Sequence, residues 1–179
     1  MIRCRPAIGC VAAAVVAGLL SGCATPPPVV KDGELPVPAD YKHWPKFLSA
    51  VQRPDTGQVR EIYMNPQARS ASAIGGFGHG TVFVMEAYAA RARADGTLET
   101  GSDGRLVKGE LLRVFVMGKN VGWGADVPEP LRNGNWVYAA WLPNGQKAPD
   151  DTNGCRACHL PVAGQDFVHR YDEHFATRQ

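Results

Sequence analysis

Near the end of a 179-residue chain, Cys155-Arg156-Ala157-Cys158-His159 brings two thiols and an imidazole together within a single short segment. Thiols three positions apart on a helical turn share one side of it and can meet the two vinyl groups of one porphyrin. The adjacent His then lies beneath the iron, where a ring nitrogen can bind. C-x-x-C-H is the attachment pattern for c-type haem. The segment therefore reads as one covalent haem c on Cys155 and Cys158, with His159 as axial ligand. Three other chemistries use paired cysteines. A thioredoxin-like redox pair belongs near the start of a helix that follows a strand, in a βαβ setting that is missing here. A zinc site needs two further ligands at metal spacing, and the remaining His43, His79, His169 and His174 are scattered. A disulfide across two intervening residues is strained and closes almost no loop.

The other cysteines belong to export. Cys4 and Cys10 lie in a segment that begins with Arg3 and Arg5 and continues as a nearly unbroken apolar run over residues 7–20. That run is short for a membrane span and has the length of a signal-peptide core. It ends in Leu20-Ser21-Gly22-Cys23, which resembles the bacterial lipoprotein box, in which the Cys becomes the lipidated N-terminus. Residues 1–22 are thus expected to be a removed signal, and Cys23 a lipidation site at the periplasmic face of a bacterial membrane. Ala24 rather than Asp follows the Cys, the pattern that goes with outer-membrane sorting. Periplasmic export agrees with the haem motif, since c-type haem is attached outside the cytoplasm. Prolines 26, 27, 28, 36 and 38 make residues 23–40 an expected extended spacer. Such a path would hold the domain up to ~50 Å from the lipid, at ~3 Å per residue. Membrane association would then come through the anchor, with no spanning segment.

Hydrophobic residues make up 45% and charged residues 20%, the balance of a globular domain. The length suits one domain, residues 41–179. Without Arg3 and Arg5 the 19 basic residues become 17, matching the 17 acidic ones. A formally neutral mature chain gives no reason to expect a nucleic-acid partner.

The elements that must position the motif read mostly as strands. Residues 58–64 (QVREIYM), 81–88 (TVFVMEAY), 111–117 (LLRVFVM) and 136–141 (WVYAAW) are rich in β-branched and aromatic side chains. Gly, Asn, Pro and Asp clusters separate them. Helix is expected over residues 44–51, at the C-x-x-C-H turn, and over residues 166–175, where Phe167, Tyr171 and Phe175 recur every four positions. Twenty Gly and fourteen Pro argue against a helical bundle. The fold class is therefore mainly β (α+β): an antiparallel sheet with a few short helices and the C-terminal motif on a helical turn. The glycine cluster at residues 75–80 runs into a strand and not a helix, which argues against a phosphate-binding loop.

Taken in order, GELPVPADYKHW, VREIYMNPQA, FGHGTVFVMEAY, GNWVYAAW and CRACH followed by DFVHRY resemble the cytochrome P-460 family, which includes the cytochromes c-prime-beta. The resemblance implies a mainly antiparallel β fold, five-coordinate haem bound by His159, and often a homodimer. In hydroxylamine-oxidising members a Lys on the strand after G-T-V is bonded to the porphyrin; the resemblance puts Met85 at that position. Alternation places Thr81, Phe83, Met85 and Ala87 on one strand face. Hydroxylamine oxidation is not expected of a thioether at that place.

The resemblance also puts Arg60 in the haem pocket, where it could donate to a bound anion or propionate; an Arg at a sheet edge reaching solvent is the alternative. Phe77 and Phe83 are candidates for the pocket wall. Met64, Met85 and Met117 are candidate sixth ligands, although Met in strands usually packs; His79 is a candidate ligand or proton donor, with a surface-loop His of no role as the alternative. Three roles stay open: binding a small gaseous or nitrogen-oxide ligand such as nitric oxide, passing electrons to a redox partner protein, or oxidoreductase chemistry on peroxide or a nitrogen oxide.

Overall fold

A computed structural model of the protein describes residues 28–149 and 151–177. The expectations for the signal segment and for Cys23 lie outside the described residues. The frame is a five-stranded antiparallel meander of β1 (Lys46–Arg53), β2 (Gln58–Met64), β3 (Thr81–Ala90), β4 (Lys108–Lys119) and β5 (Trp136–Trp141). Two short α-helices follow it, α1 (Thr152–His159) and α2 (Tyr171–Ala176). The expected mainly β class with a few short helices is what the chain adopts.

Alternation along the strands gives the sheet two distinct faces. Register pairs Met85 with Ile62 on β2 and Phe115 on β4, and pairs Phe83 with Met64 and Met117. Met117 in turn lies opposite Tyr138 on β5. These residues share the face that α1 and α2 cover, where Phe47, Phe77, Phe83, Trp136, Tyr138 and Tyr171 form one core cluster. On the opposite face Tyr63, Val84, Val114, Val116 and Val137 form a second cluster with Leu35, Tyr41 and Trp123.

Leu35 comes from the proline-rich N-terminal stretch, and over the described residues 28–40 its packing corrects the expected spacer. Residues 28–40 are irregular, as their prolines require, but they lie on the sheet. The N–H of Gly33 donates to the carbonyl of Tyr138 at 2.6 Å. The indoles of Trp123 and Trp141 donate to the carbonyls of Pro28 and Leu35, each at 3.1 Å. The approach is close: a Cβ at Gly118 would meet Leu35 Cδ2 at 2.9 Å and the Trp123 ring at 3.0 Å. An apolar sheet face needs a cover, and Val30, Leu35 and Val37 supply it.

Two helix expectations also change. Residues 46–51 belong to strand β1 and not to a helix; the spacing of Phe47 and Val51 is in phase in either geometry and does not distinguish them. Positions four apart share a face at period 3.6 and at period 2 alike. A register shift between Leu48 and Val51, with Ala50 at φ 49°, absorbs the irregularity. The C-terminal helix is α2 alone, shorter than residues 166–175. Asp166, Phe167 and Arg170 take positive φ angles of 52°, 58° and 61° and so break the helix before it. Phe167, Tyr171 and Phe175 nevertheless pack into the same cluster.

Candidate functional site

Asp151 caps the start of α1 by accepting a hydrogen bond from the Asn153 N–H at 2.9 Å. From there the helix carries Cys155, Cys158 and His159 along one side to the wall of a single cavity of about 650 Å³. The sheet supplies the facing wall through Arg60, Ile62, Phe83, Met85, Phe115, Met117 and Tyr138. That volume lies within the range of roughly 300–1,000 Å³ typical of cofactor and ligand sites. The two cysteines are not joined in a disulfide.

His159 is oriented by backbone. Its Nδ1 lies 2.7 Å from the carbonyl oxygen of Phe167, and a carbonyl can only accept, so Nδ1 carries the proton. Nε2 is left with its lone pair, as metal ligation requires. Burial pushes the imidazole below its ordinary pKa, and His169 adds to this against the opposing effect of the Phe167 carbonyl. A neutral imidazole is the ligating form.

The carbonyl of Phe167 is itself fixed by its neighbour. Asp166 accepts from the Phe77 N–H at 2.8 Å, from Lys119 Nζ at 2.8 Å and from the Trp136 indole at 3.3 Å. Lys119 also donates to the Phe77 carbonyl at 2.7 Å. These bonds hold residues 166–167 in left-handed backbone, a conformation unfavourable for residues with a Cβ, and thereby present the carbonyl to His159.

Several anticipated residues are brought together here and several are not. Arg60 lines the cavity, with Nε and Nη2 donating to Gln58 Oε1 at 3.1 and 2.9 Å. It lies on the second strand and is half-buried, not at the sheet edge. Burial lowers its pKa, and nearby Arg53 lowers it further. Phe83, Met85 and Met117 are on the wall. Phe77 is not: it packs behind Phe83, ring centroids 4.9 Å apart, and serves as core. Met64 is buried in the same cluster away from the cavity, and His79 is exposed on its loop.

Sequence reasoning missed Phe115, Tyr138 and His169, while Ile62 follows from sharing a strand face with Arg60. Phe115 and Tyr138 follow from alternation once Met117 and Trp136 are placed. His169 gave no periodic signal; its Nε2 lies 3.0 Å from the Cys158 carbonyl oxygen, and its ring centroid 4.9 Å from that of His159.

The arrangement fits a porphyrin on three counts. The two thiols and the imidazole share one wall, the opposite wall is apolar and aromatic apart from Arg60, and the buried hydroxyl of Tyr138 has no hydrogen-bond partner beside the cavity. A buried, unsatisfied hydroxyl costs ~1–3 kcal/mol, so a polar group entering the cavity would offset that cost. Among the described residues no group of three or more His, Cys, Asp or Glu side chains is placed to share a metal ion.

No curated protein matches the sequence. The family profile of cytochrome P460 matches it over residues 38–170, most of the chain and the whole of the cavity-forming sheet and motif. The chain belongs to the cytochrome P460 family, and with that family goes a c-type haem cofactor.

Proposed function

We propose that the protein is a monohaem c-type cytochrome, lipid-anchored at the periplasmic face of a bacterial membrane, which binds a small ligand such as nitric oxide at an open iron position. The observation that carries the reading is the convergence of Cys155, Cys158 and His159 on one wall of an apolar cavity. Cys155 and Cys158 would hold the haem as thioethers, each thiol adding sulfur to one vinyl carbon and hydrogen to the other, so that attachment would need no oxidant. His159 offers Nε2 because the Phe167 carbonyl occupies Nδ1–H. Haem held by Cys155, Cys158 and His159 would supply small-ligand binding and reversible one-electron chemistry.

On the opposite wall, Ile62, Phe83 and Phe115 present apolar surface, which suits small apolar molecules. Arg60 places a charged donor at the same cavity, which favours ligands with an accepting oxygen. Met85 contributes a thioether and no amine, so a ring cross-link and hydroxylamine oxidation are not part of the proposal.

A second reading has its own support: Met85 and Met117 both line the cavity, and a thioether on the iron would make the protein an electron carrier. Optical spectra of the oxidised and reduced protein separate the two. High-spin bands support ligand binding at an open position, and low-spin bands support the carrier. The haem reading itself is tested by Cys155→Ser with Cys158→Ser. This variant should give no haem-stained band on a denaturing gel, and a persistent band would refute covalent attachment at these residues.

A further inference from the structure

Arg156, between the two cysteines, is fully buried and does not line the cavity. Its Nη2 donates to Asp32 Oδ1 at 2.9 Å and to the Trp136 carbonyl at 3.0 Å, and its Nε donates to Asp32 Oδ2 at 2.5 Å. Asp32 also accepts from the Tyr138 N–H at 2.9 Å. The guanidinium carbon lies 5.3 Å from the centroid of the Tyr138 ring, and that ring packs against the His159 imidazole at 5.1 Å. One aromatic ring thus separates an ion pair, with Arg156 fully buried and Asp32 mostly so, from the His159 imidazole. Asp32 precedes the family-matched region, which begins at residue 38.

We propose that Asp32 and Arg156 are positioning residues that set the reduction potential of the iron behind His159, making the N-terminal stretch part of the haem site. The proposal rests on the haem reading above. Its physical basis is the weak screening of buried charge. A guanidinium near the iron favours the reduced state, which carries one positive charge fewer, and a carboxylate favours the oxidised state. Bidentate pairing keeps the two nearly balanced. Outer-shell charge and burial are among the levers by which a protein tunes haem. A purely structural clasp would be indifferent to the sign of the charge removed.

The test is redox titration of the full-length, haem-loaded protein. Asp32→Asn leaves the guanidinium uncompensated and should raise the midpoint potential. Arg156→Gln leaves the carboxylate uncompensated and should lower it. The double variant should return close to wild type. Asp32→Glu, which keeps the charge, should hold the wild-type value; together with Asp32→Asn it decides the matter if Arg156→Gln does not fold. Single variants that shift the same way, or an Asp32→Asn protein with an unchanged potential, would overturn the proposal. Wild-type protein without covalent haem would overturn the haem reading beneath it, a separate outcome seen on the gel before any titration.

Discussion

His159 owes its tautomer to a carbonyl, and that carbonyl owes its position to Asp166. The carboxylate of Asp166 satisfies a backbone N–H, an ammonium and an indole from three different segments. Asp166→Ala would strand the Phe77 N–H and the Trp136 indole, leave Lys119 with the Phe77 carbonyl alone, and release the left-handed backbone at Phe167. We expect a loss of about 1–3 kcal/mol in urea unfolding, with a shifted haem spectrum in the molecules that remain folded. An unchanged spectrum and stability would show that Phe167 is held by other contacts. The motif residues were legible because their chemistry is encoded in five consecutive positions. Asp166 was not, since its partners are distant in sequence and its backbone conformation leaves no periodic mark.

At the scale of the element, β3 separates two environments by alternation alone. Met85 faces the cavity, while the next residue, Glu86, is 1% exposed on the other face. The phenols of Tyr41, Tyr88 and Tyr63 donate to its carboxylate at 2.8, 2.8 and 3.1 Å, and Lys42 lies 3.7 Å away. Burial by itself would raise this carboxyl, but the phenols and Lys42 together outweigh it and the pKa falls below the ordinary 4.5. A carboxyl depressed on folding contributes stability above its unfolded pKa and loses it as pH falls through the folded value. The domain should therefore lose stability as pH falls below about 4.5. Glu86→Gln should flatten that part of the profile and cost ~1–3 kcal/mol at neutral pH. Urea midpoints measured across pH check both, and parallel profiles for the two proteins would contradict the assignment. The four anticipated strands were legible from β-branched and aromatic alternation. The edge strand β1 was not, because Phe47 and Val51 suit two periods equally and only pairing with β2 selects the strand.

At the scale of the whole molecule, the N-terminal stretch is a cover and not a spacer. Composition points to its extended backbone, but not to its docking, which depends on an apolar sheet face that local sequence does not reveal. Among the described residues the docking already includes Pro28, whose carbonyl accepts from Trp123. A lipid on Cys23 would then leave a reach of at most about 18 Å, at ~3.6 Å per residue. No helix among the described residues is long and apolar enough to cross a membrane. Cys23→Ala should accordingly move the protein from the membrane fraction to the soluble fraction. Retention without detergent would point to another attachment.

The central claim is that haem is held by two thioethers on α1 and by nothing on β3. Peptide mass spectrometry after proteolysis tests it most directly. The peptide containing Cys155, Cys158 and His159 should carry the whole haem mass, and the β3 peptide containing Met85 should be unmodified. An unmodified cysteine peptide, or haem bridging that peptide to β3, would contradict the account.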